Sequence, residues 1–549
     1  MDYEQRTTNR TTFIMFFRIT KFLVLLFTYN ILGQVVYTPL YSEVYDFLQR
    51  MSIEQVIILD DEVKPYSRKY IAGLLKEIAE KKNNLNSTER KLLYFYEKEY
   101  AYELNDLKNE RWYLFSYGDS LFSAKFSPIA GYGVSTIGDA NGHTRWIGFS
   151  SFGTYRNWFG ASFDVRDKGE FGDNVDREKS FSPETGAYYK GAPNGIEAND
   201  VKGSINFNWN WGSVSIIKDY FTWGHGNFGQ LILSSKPPDY PRIELHLKPV
   251  EWLRFSYIHG WLNSLVIDSS SIQFEHIESL EPRIKQAYIN KYIVANMLTI
   301  TPVSGLDISV GNSFVYSGDL RPEMFIPFLF FKWLDHNTGR GDVDDGNGTL
   351  YLDISAKYPK DFQFYSTLFI DVTEIRNILE NDFSNTWVGY TFGARKVNLF
   401  LDNLDLLIEY TRINPWVYEH KLESTTYKHL DFTLGHWLGQ NADQVRIQFD
   451  YQPIRSLKFE LYFEQTRKGG LDDIYFAYGG IDEFNKSFLY SPLRIDKYYG
   501  LNFRFEYIHD LILHGSYRYS DVADDDTDRT PEYLVGKNSY ISLTLYYGM

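Results

Sequence analysis

Between Lys202 and Trp211 the chain reads Lys-Gly-Ser-Ile-Asn-Phe-Asn-Trp-Asn-Trp, with Ile205, Phe207, Trp209 and Trp211 on one parity and Ser204, Asn206, Asn208 and Asn210 on the other. Successive side chains of an extended strand point to opposite faces, so this stretch separates hydrocarbon and indole from amides; the roughly 100° step of a helix would mix them. The same alternation recurs. Phe159, Ala161, Phe163 and Val165 oppose Gly160, Ser162, Asp164 and Arg166; Leu350, Leu352 and Ile354 oppose Tyr351, Asp353 and Ser355; Leu457, Phe459, Leu461 and Phe463 oppose Lys458, Glu460, Tyr462 and Glu464; Ile541, Leu543 and Leu545 oppose Ser542 and Thr544. In a soluble sandwich the apolar face points to a core, whereas in a membrane barrel it points to lipid and the polar face lines a lumen.

Connector lengths separate the two. Tight turns fall near 153–156, 212, 249–251, 302–305, 359–361, 397–403, 453–456 and 509–510, and they alternate with long polar or aromatic stretches near 167–201, 220–240, 262–290, 317–348, 372–386, 413–443, 467–497 and 521–538. Membrane barrels carry short periplasmic turns and long extracellular loops in this order; a sandwich has no reason to sort them. With an initial hairpin between Trp112 and Phe152, about eight short turns imply about 18 strands. Trp211, Trp252, Tyr358 and Tyr451 sit beside the short turns, where an aromatic girdle belongs.

The amino-terminal part follows other rules. Phe22–Gly33 is a short apolar run after Arg18 and Lys21, the layout of a secretory signal over residues 1–33; Met15 gives a more ordinary signal length, so translation is expected to begin there. Over 34–110 the period becomes 3.6: Val44, Phe47 and Leu48 begin a short helix, Ile71, Leu74, Leu75 and Ile78 follow Ser67 as cap, and Asn86 with Glu89 forms a capping box for a helix carrying Leu92, Leu93 and Tyr96. Three helices in so short a span make a periplasmic bundle too small to stand alone, so it leans on the barrel of residues 111–549.

Composition narrows the function classes. Aromatics make up 18% of the 549 residues, with 44 Tyr, 41 Phe and 12 Trp, as barrel girdles require. Mean hydropathy is nevertheless −0.35, and past the amino terminus no apolar run is long enough for a spanning helix. A net charge of −15 without basic clusters argues against nucleic acid as a partner. The absence of cysteine removes disulfides, thiolate metal sites and cysteine nucleophiles. The inferred lumen face carries both signs, Arg166, Lys248, Arg254, Arg446, Lys458 and Arg504 against Asp164, Glu244, Asp353, Asp450, Glu460 and Glu506. Two arrangements tolerate these charges: a hydrated pore wall, or an internal salt-bridge network that closes the bore.

Three stretches resemble the capsule assembly Wzi family of outer-membrane proteins. The first is the run of Val44-Tyr45-Asp46-Phe47-Leu48, Lys64-Pro65-Tyr66-Ser67-Arg68 and Glu89-Arg90. The second is Trp223-Gly224-His225-Gly226-Asn227-Phe228-Gly229-Gln230-Leu231-Ile232-Leu233-Ser234-Ser235 with Pro237-Pro238 and Pro241-Arg242-Ile243. The third is Asn347-Gly348 to Asp371. The carboxyl end, Tyr547-Gly548-Met549, departs from the terminal aromatic usual in such barrels. The resemblance implies an all-β transmembrane antiparallel barrel of about 18 strands with a small periplasmic helical bundle. It further implies a surface lectin that holds capsular or exopolysaccharide to the cell, without catalytic residues or cofactors.

Individual motifs add little chemistry. Gly224–Gly229 matches GxGxxG formally, but no amphipathic helix follows, so close backbone packing of an inward-folded loop explains the glycines better than a dinucleotide. Asp342, Asp344 and Asp345 resemble half a calcium loop, but Gly346 stands where an oxygen ligand is wanted and Asp353 where the twelfth-position Glu belongs. Asp524, Asp525, Asp526 and Asp528 form a second acidic loop; either loop suits divalent cations that bridge polysaccharide, and both suit plain solvated tips. Sugar recognition uses aromatic faces with polar groups that fix hydroxyls, which nominates Tyr220, Trp223, His225, Trp261, Trp333, His336, Trp416, His436, Trp437 and Tyr490 on the loops. The other expected partners are outer-membrane lipid and lipopolysaccharide. A diffusion channel or saccharide porin is the alternative on the same scaffold, and a hydrolase ranks third because no G-x-S-x-G stands out.

Overall fold

The computed structural model describes residues 36–156, 158–180, 182, 186–275, 283–331, 346–372, 387–471, 474, 487–530 and 532–548. The expected signal segment lies outside them. Eighteen antiparallel strands close into one barrel. In chain order they are β1 (Phe122–Ile137), β2 (Ala140–Tyr155), β3 (Phe159–Gly172), β4 (Gly195–Trp209), β5 (Gly212–Lys218), β6 (Arg242–Val250), β7 (Leu253–Ile267), β8 (Tyr288–Val303) and β9 (Leu306–Ser317). The second half is β10 (Gly346–Ala356), β11 (Phe362–Val372), β12 (Trp387–Lys396), β13 (Leu404–Ile413), β14 (Ala442–Ile454), β15 (Leu457–Lys468), β16 (Arg494–Ile508), β17 (Leu511–Asp524) and β18 (Gly536–Tyr547). Each strand pairs with the next, and β18 closes the ring on β1 with Tyr540 opposite Ile137 and Tyr547 opposite Ala130.

Exposure identifies the two faces. On β4, Ile205 and Phe207 are 45% and 39% exposed while Asn206 between them is 1% exposed, so the amides face inward and the hydrocarbon outward. The same inversion holds on β18, where Ile541, Leu543 and Leu545 are exposed, and it is the arrangement that lipid demands. The lower rim carries the tight turns, with Trp211, Trp252 and Tyr358 exposed beside them. The upper rim carries the long connections, except that β1 and β2 are joined through Gly138 and Asp139, where Gly138 has φ +54 and therefore suits a residue without Cβ.

At the lower mouth three helices, α1 (Val44–Ile53), α2 (Arg68–Glu80) and α3 (Ser87–Glu99), pack around Leu48, Met51, Ile71, Leu75, Ile78 and Leu93. The Asn86–Glu89 capping box forms, with Asn86 Oδ1 accepting from Thr88 and Glu89 N–H at 2.9 and 3.0 Å and Glu89 accepting from Asn86 N–H at 2.8 Å. Ser67 occupies the position before α2 but its hydroxyl makes no capping hydrogen bond, and the Arg68 N–H beside it donates to the carbonyl of Val36 at 2.8 Å. The bundle leans on the wall as its size requires: Phe95 stacks on His509 with ring centres 3.6 Å apart, and the Thr88 hydroxyl donates to the Pro453 carbonyl.

The bore is filled from both ends. Val63 and Lys64, rising from the helical segment, pair antiparallel with Thr222 and Trp223 of the connection between β5 and β6. That connection folds inward and, with the connection between β13 and β14, forms a core of Phe221, Trp223, Leu231, Ile232, Leu233, Trp416, Tyr418, Tyr427 and Leu434 against the inward side chains Ile258, Ile293, Ala295 and Met297 of the wall.

Candidate functional site

The inward-folded connection explains the glycine-rich motif. Gly224 has φ +100, and its N–H donates to the Glu62 carbonyl at 2.8 Å, so the turn brings the next residue against the amino-terminal segment. A Cβ on Gly226 would collide with the Gly229 carbonyl oxygen, and one on Gly229 would lie 2.5 Å from the His436 ring. No helix follows, and the motif is a packing device, as the sequence reading holds.

The residue so placed is His225. Its Nε2 lies 3.0 Å from Asp61 of the amino-terminal segment and its Nδ1 bonds Asp353 of β10, so both ring nitrogens face carboxylates. Burial disfavours the charged ring, but Asp353 and Asp61 outweigh it and raise the His225 pKa from 6.5 to about 10. Asp61 is opposed by its own burial, yet the Lys357 ammonium at 2.7 Å and the imidazolium hold it well below the usual carboxylate range. The helical segment, the inward connection and the wall therefore meet in one buried charge-compensated knot.

Of the two arrangements left open for the lumen charges, pairing is the one found through most of the lower half. Arg254 bonds Glu62 at 2.5 Å and Asp307 at 2.7 Å; Lys248 reaches Asp60 at 2.9 Å; Lys458 binds Glu43 at 2.8 Å and also Asp46. Arg50 of α1 meets Asp405 of β13 together with Glu54 at the end of its own helix and Glu89 of α3. Beside this network a chamber of about 400 Å³ persists, lined by Tyr41, Arg166, Lys202, Lys458, Arg504 and Tyr546 among others.

The nominated sugar-contacting residues separate by position. Trp223 and His436 are 0% exposed, and Trp416 and His225 are buried, so these four build the filling of the bore. Trp261 points outward from β7 and stacks on His259 at 5.1 Å. Tyr220 is half-buried under the Lys202 ammonium at 4.5 Å, and Tyr490 is half-buried against Gly470. Trp437 is 40% exposed at the top of the lumen, with Nε1 donating to the Phe228 carbonyl at 2.9 Å. Trp333, His336, Asp342, Asp344 and Asp345 lie outside the described residues. In the second acidic loop Asp524 and Asp526 accept local turn hydrogen bonds from Asp526 and Asp528 N–H, and Asp525 accepts from Leu493 N–H just before β16. Among the described residues no three His, Asp or Glu side chains converge as metal ligands would.

Trp437 belongs to a surface that loop composition alone does not reveal. The Arg446 guanidinium of β14 lies 4.3 Å from the Phe228 ring centre and 4.1 Å from that of Tyr462, held by Glu464 at 2.9 Å and Glu460 at 3.0 Å. Tyr462 lies flat because its cross-strand partner is Gly500, where a Cβ would collide with the ring. Further round the wall the Arg518 guanidinium sits between Tyr498 and Tyr540 at 5.1 and 5.2 Å. Inward parity on β14 to β18 carries the signal for these residues; the partner Phe228 comes from a connection distant in sequence. Aromatic faces alternating with guanidinium and carboxylate groups offer stacking for C–H surfaces and paired hydrogen bonds for hydroxyls.

A family model described as capsule assembly protein Wzi matches residues 201–533. The solved structure of Wzi, described as an outer membrane protein involved in Group 1 capsule assembly in Escherichia coli and as a carbohydrate binding beta-barrel, is similar with a TM-score of 0.58 at 13% identity, covering 94% of this chain and 100% of that one. OccAB1 of Acinetobacter baumannii and OccK5 (OpdH) of Pseudomonas aeruginosa match at 9% and 10% identity with TM-scores of 0.42 and 0.41, each over 77% of this chain and over 96% and 97% of theirs. No curated protein matches the sequence.

Proposed function

The chain belongs to the capsule assembly protein Wzi family, and we propose that it stands in the bacterial outer membrane and holds exported capsular or exopolysaccharide at the cell surface, binding it without covalent chemistry. The long-loop rim then faces outward and the helical bundle faces the periplasm. The observation that carries this reading is the pairing of a filled bore with a half-open aromatic and arginine surface near its upper mouth, formed by Phe228, Trp437, Arg446 and Tyr462. A filled bore suits retention of a polymer better than its passage, and the surface offers what a chain of pyranose rings needs. With Arg446 already paired to Glu460 and Glu464 the surface carries no excess positive charge, so it favours neutral sugars, stacked on Trp437 and hydrogen-bonded through their hydroxyls.

Retention of purified capsular polysaccharide by the detergent-solubilised protein tests it. Charge-assisted hydrogen bonds contribute about 1.5 to 3 kcal/mol, so Arg446→Ala is expected to weaken retention about tenfold or more, with Trp437→Ala lowering it less. Unchanged retention in both variants, with the barrel still folded by heat-modified mobility, would remove the site.

A further inference from the structure

The outward wall of β8 and β9 sets two amides among apolar side chains. On β8 the inward residues Ile293, Ala295 and Met297 join the lumen core, so Asn296 points outward between Val294 and Leu298. On β9 Asn312 points outward between Val310, which is exposed, and Phe314. Amides facing hydrocarbon are costly unless they find partners. Here they find them in the chain that follows β9, which turns back down the outside of the barrel.

Asn296 Nδ2 donates to the carbonyls of Pro327 at 2.9 Å and Leu329 at 2.8 Å, Asn312 Nδ2 donates to Asn296 Oδ1 at 2.7 Å, and Asn312 Oδ1 accepts from Phe331 N–H at 2.8 Å. The Tyr257 hydroxyl donates to the Met324 carbonyl at 2.6 Å. Met324 and Phe331 are fully buried against Phe255, Tyr257, Val294, Phe314 and Tyr316. Within the segment, Met324 and Ile326 N–H bond Arg321 and Glu323 carbonyls, each at 3.1 Å, while Pro322 and Pro327 bring no N–H at all. These bonds give partners to the backbone groups that lie against the wall, which is what hydrocarbon demands of irregular chain placed in it.

The side chains sort in the same sense. Arg321 lies over the Tyr316 ring at the upper end of β9, whereas from Met324 to Phe331 nothing is charged or polar. Phe328 reaches Phe255, at 4.5 Å between ring centres, close to where β7 leaves the lower-rim turn. Phe325 and Phe328 lay one side on the His259 and Phe255 rings of β7, yet with Ile326 and Phe330 they keep a large exposed apolar area, Phe328 at 66% exposure. This apolar face continues the lipid-facing wall of Leu298, Ile300 and Val310.

We propose that Met324–Phe331 is a flap embedded in the bilayer on the outside of the barrel, with the charged Arg321 and Glu323 before it, pinned by the Asn296–Asn312 amide pair, and that its phenylalanines contact the acyl chains of surrounding lipid. It rests on the barrel spanning a membrane and not on glycan binding, so either stands if the other fails. The cysteine-free sequence permits a clean test. A nitroxide on Phe328→Cys of the full chain in phosphatidylcholine vesicles is expected to collide with oxygen and be shielded from a nickel chelate, as a label at Leu543→Cys on the outward face of β18 is. Nickel access like that of a label at Asp525→Cys, in an exposed loop, would overturn the proposal. Shielding from both reagents with doubled particle mass would also overturn it, by placing a second copy on that face. Asn296→Leu with Asn312→Leu, both compatible with a lipid-facing wall, is expected to raise nickel access of the Phe328→Cys label severalfold; no change would refute the amide pair as the pin.

Discussion

His225 is held between Asp61 and Asp353, and each of its two N–H groups is committed. Glutamine can donate to one of the two carboxylates, leaving the other short of a partner in the same buried place. Breaking one side of such a pair costs about 3 kcal/mol or more, so His225→Gln is expected to lower the thermal unfolding midpoint of the detergent-solubilised protein. The folded pKa, about 10, stands above the unfolded value of 6.5. The contribution of the imidazolium is therefore complete below about pH 6.5 and is lost as pH rises through 10. Titration from pH 7 to 10.5 should lower the wild-type midpoint and leave that of the variant nearly level; parallel curves would show that the ring carries no charge. The glycines around His225 were legible as close-packing positions. The carboxylates it meets were not, since Asp61 and Asp353 are far from it in sequence and equivalent carboxylates are plentiful.

Helix α1 binds the wall through Arg50, whose guanidinium meets Asp405, Glu54 and Glu89 together with the amide oxygens of Asn398 and Asn403. Arg50→Ala leaves Asp405 and Glu89 buried without it. The expected result is a bundle that proteases open while the barrel retains its heat-modified mobility; equal resistance in both proteins would count against this contact as the fastener. Beside it, burial first and the Glu89 carboxylate next raise Glu54 from 4.5 to about 8. A raised carboxyl favours docking below its unfolded pKa of 4.5 and disfavours it as pH climbs through 8. Glu54→Gln should therefore protect the bundle from proteolysis at pH 9 relative to wild type, with little difference at pH 5. The helices themselves follow from 3.6-residue periodicity and the Asn86 box. Ser67 shows the limit of that reading, since it stands at the expected cap position of α2 and its hydroxyl makes no capping bond.

Taken together, the plug from below and the two folded connections from above leave a chamber rather than a through-passage among the described residues. Planar-bilayer recordings of the full protein are expected to show small or absent steady current. Deleting residues 39–110 removes Asp61, Glu62 and Arg50 at once and should open a large, persistent conductance. Large steady current from the intact protein would favour a saccharide channel over retention of polymer, and unchanged current after the deletion would show that the inward connections alone seal the bore.

The sequence by itself determined the strands, their number, their two faces and the division into short-turn and long-loop rims, because each depends on local alternation and on connector length. It also determined that lumen charges of both signs must be reconciled. Only the tertiary structure decided how: which carboxylate meets which cation, that the connection between β5 and β6 turns inward to join Val63 and Lys64, and that the chain after β9 runs down the outer wall. Parity states which side of a strand a residue takes, and it is blind to what a distant segment lays against that side. Asn296 and Ile205 both face outward, yet one meets backbone carbonyls and the other a hydrocarbon surface, and that difference is made by chain that alternation does not describe.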